Sequence, residues 1–265
     1  MSLYGRHLLI ASLPAALIRA YDLGAQSRAW LLMLLCALAV SFGWAAVFAR
    51  LRGRPVDPVW IPAAWLFSLM LPPTVPLGFA AVVLSFGLVF GCHVFGGSGR
   101  YLVNPALLGV VFLAIAYPTV AGTDASIGSE VDAIRIASVI ASLIGAVYLV
   151  ALKQASASIV AGGLIALTAG GALDSEMSWT AHLAAGHFAF ALAFVATDPT
   201  TRPGTVSGSW VFGALFGLLV VAFRTLNPAH PEGSWAALLL ASLFIPLIDH
   251  VARSFAGPRS RSSDA

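Results

Sequence analysis

FGGSGRYLVNPA, at residues 95–106, is a polar break between two apolar runs. A second break, VATDPTTRPG at residues 195–204, has the same setting later in the chain. In a lipid bilayer every backbone N–H and C=O group needs a partner inside the protein. Irregular backbone therefore persists there only where protein buries it or where it lines a cavity. Two such breaks, one in each half of a chain, are a sequence sign of a central site between inverted repeats.

The composition is that of a membrane protein. Hydrophobic residues make up 59% of the 265 positions, charged residues make up 9%, and the mean hydropathy is +0.92. These values exclude a soluble globular fold and leave no room for a separate soluble domain, because about ten crossings of about 20 residues would use nearly the whole chain. We predict an all-α integral membrane protein with about ten transmembrane helices in two inverted repeats that contain broken or half helices.

The predicted organisation is a single transmembrane domain over residues 1–256, with inverted repeats at roughly 1–118 and 133–256. Residues 257–265 are expected to form a disordered cytoplasmic tail. The first apolar run has no small-residue cleavage site, which favours an uncleaved helix over a signal peptide. Because the basic residues lie in short loops, the net charge of +3 does not indicate a nucleic-acid partner.

Loop charges support the count of ten crossings. The apolar segments lie at residues 7–21, 29–49, 58–71, 76–95, 104–117, 133–152, 157–173, 182–197, 207–224 and 234–251. If all ten cross, one side of the membrane holds Arg6, Arg50, Arg52, Arg54, Arg100, Lys153, Arg202, Arg253, Arg259 and Arg261. The only basic loop residue on the other side is Arg28. Three further arginines lie inside or at the ends of segments and are not counted: Arg19, Arg135 and Arg224. Cytoplasmic loops carry the excess of Lys and Arg, so both termini are predicted to be cytoplasmic.

Five longer motifs resemble those of a known family and occur in the family's order. They are LMLPPTVP at 69–76, VFGGSGRYLVNPA at 94–106, FAFALAFVATDP at 188–199, NPAHPEG at 227–233 and FIPLIDH at 244–250. The family is NqrB/RnfD, which comprises the B subunit of the sodium-translocating NADH:quinone oxidoreductase and the D subunit of the Rnf electron-transport complex. Several long motifs in the right order are a far more specific signal than one short pattern.

The resemblance implies a membrane component of a flavin-dependent, ion- or quinone-coupled electron-transport complex. It implies ten transmembrane helices in an inverted repeat, two flavins and electron flow across the bilayer. Any enzymatic role would be as a component of an oxidoreductase complex of the NADH:quinone or ferredoxin:NAD type. The implied partners are other membrane subunits and the lipid bilayer, and the implied location is the bacterial inner (plasma) membrane.

A covalent flavin is expected to be absent. In the family, FMN is attached to a Thr in the pattern Asp-x-x-Ser-Gly-Ala-Thr, through a phosphoester that requires a hydroxyl. Residues 131–138 align with that pattern without a gap and place Ser138 at the acceptor position, but Arg135 and Ile136 replace the small Ser-Gly pair. The other alignment runs residues 131–147 onto the following helix and deletes the flavin loop. Apolar periodicity over residues 133–150 favours this second alignment.

The resemblance also implies a non-covalent flavin, either riboflavin or FMN, near the first break, and a quinone is a further expected ligand. Asn104 matches the family there, whereas Tyr101 replaces a second Asn; it keeps a hydroxyl and an aromatic ring. Arg100 and Arg202 flank the two breaks, either as positive-inside anchors or as an electropositive mouth for a phosphate, flavin or quinone headgroup. The candidate cofactor-binding residues are Gly97, Arg100, Tyr101, Asn104, Asp198 and Arg202.

Asn104 and Asp198 each precede a proline at a break. One interpretation is that each side chain only caps the following helix, and the other adds contact with a cofactor or ion. We expect the two residues to face each other across a pseudo-twofold axis and to form one site near the cytoplasmic side. The Asp198 carboxylate is then expected to be held by backbone N–H groups or by Arg202.

Two functions follow from these patterns. The first is an electron-transport component that binds flavin, in which the cofactor supplies the redox chemistry. The alternative is a redox-inactive descendant that conducts a solute or ion, or that serves as a scaffold in the complex. Cys36 and Cys92 stand alone in apolar sequence, so free buried thiols and no metal site are expected.

Overall fold

The computed structural model describes residues 3–121, 132–174, 177–185, 187–226 and 233–255, and it has helices and loops but no strand in these ranges. The helices are α1 Leu3–Leu23, α2 Ser27–Arg52, α3 Trp60–Met70, α4 Leu77–Leu88, α5 Pro105–Ala116, α6 Pro118–Ala121, α7 Ala133–Ala151, α8 Ala157–Ala172, α9 Trp179–Ala184, α10 Phe188–Phe190, α11 Val206–Leu226, α12 Ser234–Leu243 and α13 Ile245–Phe255. The prediction of an all-α fold is confirmed for the part of the chain described.

Within the described residues, three helical stretches are long and apolar enough to cross a membrane. They are Leu3–Arg52, which a 3-10 turn at Gly24–Gln26 divides into α1 and α2, then Ala133–Ala151 and Val206–Leu226. The pair α12 and α13, bent by 49°, is a fourth candidate. The protein is therefore a helical membrane protein by length and composition.

Short helices occur where the sequence predicts them. The predicted short segments 58–71 and 104–117 contain α3 and α5, of 11 and 12 residues. At a rise of 1.5 Å per residue, an 11-residue helix is about 16 Å long, which is about half of the hydrocarbon core. These elements fit broken or half helices, whose ends need partners inside the protein.

The predicted segment 182–197 is divided by a break that the sequence analysis did not predict. Helix α9 ends at Ala184, and α10 begins after His187, which adopts a left-handed backbone conformation with φ of 60°. The buried guanidinium of Arg224 donates hydrogen bonds to the carbonyls of His182 (2.5 Å) and Ala185 (2.7 Å) at this helix end. The last carbonyls of a helix have no partner within it, so a buried arginine from α11 supplies the missing donors.

Small residues set the packing between α8 and α11, the most extensive helix pairing among the described residues. Gly163 of α8 lies against the backbone of Gly213 and Gly217 of α11. Glycines permit this approach because they have no side chain to separate the two backbones. The pairing fixes α11, which begins directly after the second break.

A π-helical turn precedes each polar break, at Val89–His93 and at Ala191–Val195. Such turns are rare within α-helices and are frequent at functional sites. The two breaks therefore share a local geometry on their N-terminal side as well as a proline within them.

Both breaks lie at one end of the helical bundle. Arg52 donates to the carbonyl of His93, just before the first break, and Arg202 of the second break donates to the carbonyl of Gln154, beside Lys153 (3.4 Å). The breaks also contact each other, as described below. We call this the basic end, defined by Arg52, Lys153 and Arg202.

Candidate functional site

Each break contains an Asx-Pro turn that starts its downstream segment. The Asn104 Oδ1 atom accepts hydrogen bonds from the backbone N–H groups of Ala106 (3.0 Å) and Leu107 (3.4 Å), which caps α5. The Asp198 Oδ1 atom accepts from the backbone N–H of Thr200 (2.9 Å). Proline fixes the backbone after the Asx residue, and the short polar side chain closes the turn two residues on.

The two turns are joined through the carboxylate of Asp198. Its Oδ2 atom accepts hydrogen bonds from the Tyr101 hydroxyl (3.0 Å) and from the Asn104 Nδ2 amide (3.0 Å). All three side chains are buried, with Asp198 at 2% exposure. Asn104 and Asp198, which were predicted to face each other, are in direct contact. We call Tyr101, Asn104 and Asp198 the junction.

The junction supplies what a buried carboxylate requires. Burying a carboxylate costs several kcal/mol unless hydrogen bonds replace its lost hydration. Here a hydroxyl, an amide and the backbone N–H of Thr200 point at Asp198. The expectation of a backbone N–H partner is confirmed, and Arg202, the other expected partner, instead donates to Gln154.

Gly97 and Arg100 lie in the first break, outside the junction. Gly97 is buried with φ of 94°, and a Cβ atom there would collide with the Asp57 carboxylate. Only glycine fits both the backbone conformation and the space. Arg100 is exposed, and its aliphatic stem packs beside Gly96.

Two polar groups that the sequence did not mark as candidate site residues lie beside the junction or the second break. The Tyr4 hydroxyl of α1 is buried, makes no hydrogen bond to the described residues, and is close enough to Asp198 and Arg202 to interact electrostatically. Asp249 of α13 accepts from the backbone N–H of Gly204 at the end of the second break (3.0 Å). Tyr4 lies in an ordinary apolar helix, so no local pattern signals its position; Asp249 belongs to a family motif.

Ser138 lies at the other end of the bundle, away from the junction. It lines a cavity of about 410 Å³ together with Arg19, Asp22, Arg135 and His187. Arg19 donates to the carbonyl of Leu71, at the end of α3 remote from the first break (2.6 Å). Helix α7 runs without interruption from Ala133 to Ala151, so the interpretation of this segment as one helix is confirmed.

Comparison with known proteins identifies the family. The family model described as NQR2, RnfD, RnfE matches residues 4–125 and 120–256. The B subunit of the Na(+)-translocating NADH-quinone reductase of Azotobacter vinelandii (strain DJ / ATCC BAA-1303) is 35% identical over 87% of this chain and 68% of its own length. The proteins of the same name from Ectopseudomonas mendocina (strain ymp) and Pseudomonas paraeruginosa (strain DSM 24068 / PA7) are 36% and 37% identical, over 78% and 87% of this chain.

The matches cover most of this chain and about two thirds of each relative. The chain spans 62% of the length of the Ectopseudomonas protein and 68% of the length of the Pseudomonas protein, about two thirds in each case. The two family matches together span nearly all of the described residues, including both breaks. The chain belongs to the NQR2, RnfD, RnfE family of membrane proteins.

Proposed function

We propose that this protein is a membrane component of a flavin-dependent electron-transport complex and that it holds a non-covalent flavin, riboflavin or FMN, at the joined breaks. The observation that carries the proposal is the junction, which ties two irregular segments together inside a membrane bundle. Irregular backbone in a membrane bundle is retained where protein buries it or where it lines a cavity, and a binding site between two halves is a usual reason for it.

The names of the relatives support the class of complex. By its name, the relative is a subunit of an enzyme that reduces quinone with NADH and translocates Na(+). We propose that this chain likewise works beside other membrane subunits, with a quinone as a further ligand. The proposed arrangement is ten crossings in two inverted repeats within residues 1–256, with both termini on the cytoplasmic side of the bacterial inner membrane. Residues 257–265, proposed to be a disordered tail, lie outside the described residues.

Residues beside the junction could bind one edge of a flavin ring system. The polar groups of Asn104 and Asp198 bond to each other and to the backbone, so the core of the junction is closed. The Tyr4 hydroxyl and the half-buried Arg202 guanidinium retain hydrogen-bonding capacity beside it. A hydroxyl and a cation suit the dione edge of an isoalloxazine or a quinone oxygen. In this proposal Tyr4 and Arg202 contact the ligand, and the junction holds their surroundings in place.

A bound flavin would supply one- and two-electron transfer, and the protein would supply position and electrostatics. Arg202 would place positive charge beside the ligand, where a reduced flavin or quinone gains negative charge. The buried junction would keep the segments that carry Tyr4 and Arg202 beside the ligand in one arrangement. Gly97 and Arg100 would contribute indirectly, because they help to set the backbone conformation of the first break.

No covalent flavin is proposed at Ser138. The residue lies within α7, and Arg135 lines the same cavity, so the acceptor lacks the small neighbours of the family pattern. The missing loop would fall near residues 122–131, which lie outside the described residues.

The closed core of the junction is the observation that favours the alternative function. A redox-inactive descendant that conducts a solute or ion, or that acts as a scaffold, needs the two breaks to be joined but needs no ligand at Tyr4 and Arg202. The two functions differ in one observable, which is bound flavin.

The test is the visible spectrum of the purified protein, followed by acid extraction of any flavin. We expect flavin absorption in the native protein, complete release of the flavin on denaturation, and no fluorescent protein band in a denaturing gel. A colourless protein after expression with excess riboflavin would contradict the proposal and favour the redox-inactive alternative.

A further inference from the structure

A third Asx-Pro pair within the described residues, Asp57-Pro58, lies in the loop between α2 and α3 and makes the same turn as the pairs at the two breaks. The Asp57 Oδ1 atom accepts a hydrogen bond from the backbone N–H of Val59 (3.0 Å), two residues on and directly before α3. Asn104 and Asp198 bond in the same way to the residues two positions after them.

The second oxygen of Asp57 reaches the first break. Its Oδ2 atom accepts from the backbone N–H of Ser98 (2.6 Å), which is 41 residues away in the chain. The same oxygen occupies the space where a side chain on Gly97 would lie. In each of these three described Asx-Pro turns, therefore, one polar atom closes the local turn and another holds a distant segment.

We infer that Asp57 is a positioning residue for the first break: it fixes the path of Gly97 and Ser98, and through them the placement of Tyr101 and Asn104 against Asp198. The contacts form a continuous series. Asp57 holds Ser98, Tyr101 and Asn104 follow within six residues, and both of them donate to Asp198. The α2–α3 loop is thereby linked to the second break through the first.

The two glycines of the first break and a nearby arginine support the inference. Gly96 and Gly97 both have positive φ, so the segment has little intrinsic preference for its native path and needs an external constraint. The Arg52 guanidinium lies beside Gly97 and donates to the carbonyl of His93. Asp57 and Arg52 therefore hold the two sides of the same backbone, one as an acceptor and the other as a donor.

A native cysteine reports on this segment. Cys92 is fully buried and packs with Val59 and Tyr101, and its carbonyl accepts from the Gly97 N–H (3.2 Å). Loosening of the first break therefore exposes the Cys92 thiol. Replacing Cys36 by serine leaves Cys92 as the single cysteine of the chain. The measured quantity is the rate at which a water-soluble maleimide labels Cys92 in the folded, detergent-solubilised protein.

Two substitutions separate the local turn from the distant contact. In Asp57→Ser the hydroxyl can still close a turn onto Val59 but is too short to reach Ser98, whereas Asp57→Ala loses both contacts. We expect both variants to label at least about tenfold faster than the parent, because both lose the charge-assisted hydrogen bond to Ser98 that opposes local opening. Asp22→Ala removes an exposed carboxylate at the other end and should label at the parental rate.

The labelling rates of the two Asp57 variants either support or overturn the positioning role. Fast labelling in both variants, with the unfolding temperature of Asp57→Ser near that of the parent, supports a positioning role. Fast labelling in Asp57→Ala alone would assign Asp57 only to its own turn and overturn the inference, as would parental labelling in both variants. The experiment needs no bound flavin, so its result is independent of whether the proposed function fails.

Discussion

Replacing Asp198 with alanine is expected to separate the two breaks and to destabilise the protein more than any other single carboxylate substitution at the basic end. The change removes the acceptor that the Tyr101 hydroxyl, the Asn104 amide and the Thr200 N–H share. A buried donor left without a partner costs about 1–3 kcal/mol. We therefore expect a loss of at least about 3 kcal/mol in the free energy of unfolding.

The measurement is thermal unfolding of the purified variant in detergent, with Asp249→Ala as the matched control. Asp249 also holds backbone of the second break, but its side chain is 17% exposed, so water can replace part of its bonding. A smaller shift is expected for the control. Equal shifts in the two variants would show that burial of Asp198 is not what gives the junction its stability.

Replacing Gly213 with leucine is expected to prevent correct folding. A Cβ atom at this position would collide with the carbonyl oxygen of Ile159 and lie 3.0 Å from the Gly163 nitrogen. These are backbone atoms, so they cannot rotate away as a flexible side chain would. Overpacking usually costs about 1–3 kcal/mol, and rigid backbone neighbours place this case at or above the upper end of that range.

The matched control is Gly43→Leu in α2, where an added Cβ atom meets no other atom within 4 Å. We expect the Gly43 variant to elute as a single folded species from size-exclusion chromatography in detergent, and the Gly213 variant to aggregate or to be absent. A monodisperse Gly213→Leu protein with an unchanged unfolding temperature would mean that α8 and α11 are not packed as closely as described.

The breaks were predictable because the physics that creates them is local. Proline and glycine interrupt apolar sequence visibly, and an Asx residue before proline predicts a turn that is closed by its own side chain. The contact between Asn104 and Asp198 followed from placing two such turns in the same membrane bundle. In a membrane protein the backbone of such a break must find partners inside the protein, whereas in a soluble protein water could serve, so the prediction is more specific here.

Other features were not predictable because they depend on elements distant in the chain. Arg224 was assigned only to a segment end, yet it supplies donors to a helix terminus about 40 residues earlier. The break after Ala184 was missed because no proline marks it and because its backbone is satisfied by that arginine. Asp57 carried the same Asx-Pro signal as Asn104, but its distant partner, Ser98, is not visible in sequence.

The joined breaks, and not the cavity around Ser138, are the proposed location of the flavin. The direct test is the flavin content of three purified proteins, the parent, Asn104→Ala and Ser138→Ala, each reconstituted with riboflavin and FMN and then desalted. Asn104→Ala loses an α5 cap and a contact to Asp198, and a cap alone is worth about 0.5–2 kcal/mol, so the protein should stay folded.

We predict that Asn104→Ala loses the flavin, while Ser138→Ala retains it at the level of the parent. Retention of flavin by Asn104→Ala together with its loss from Ser138→Ala would place the cofactor at the opposite end of the bundle and contradict the account.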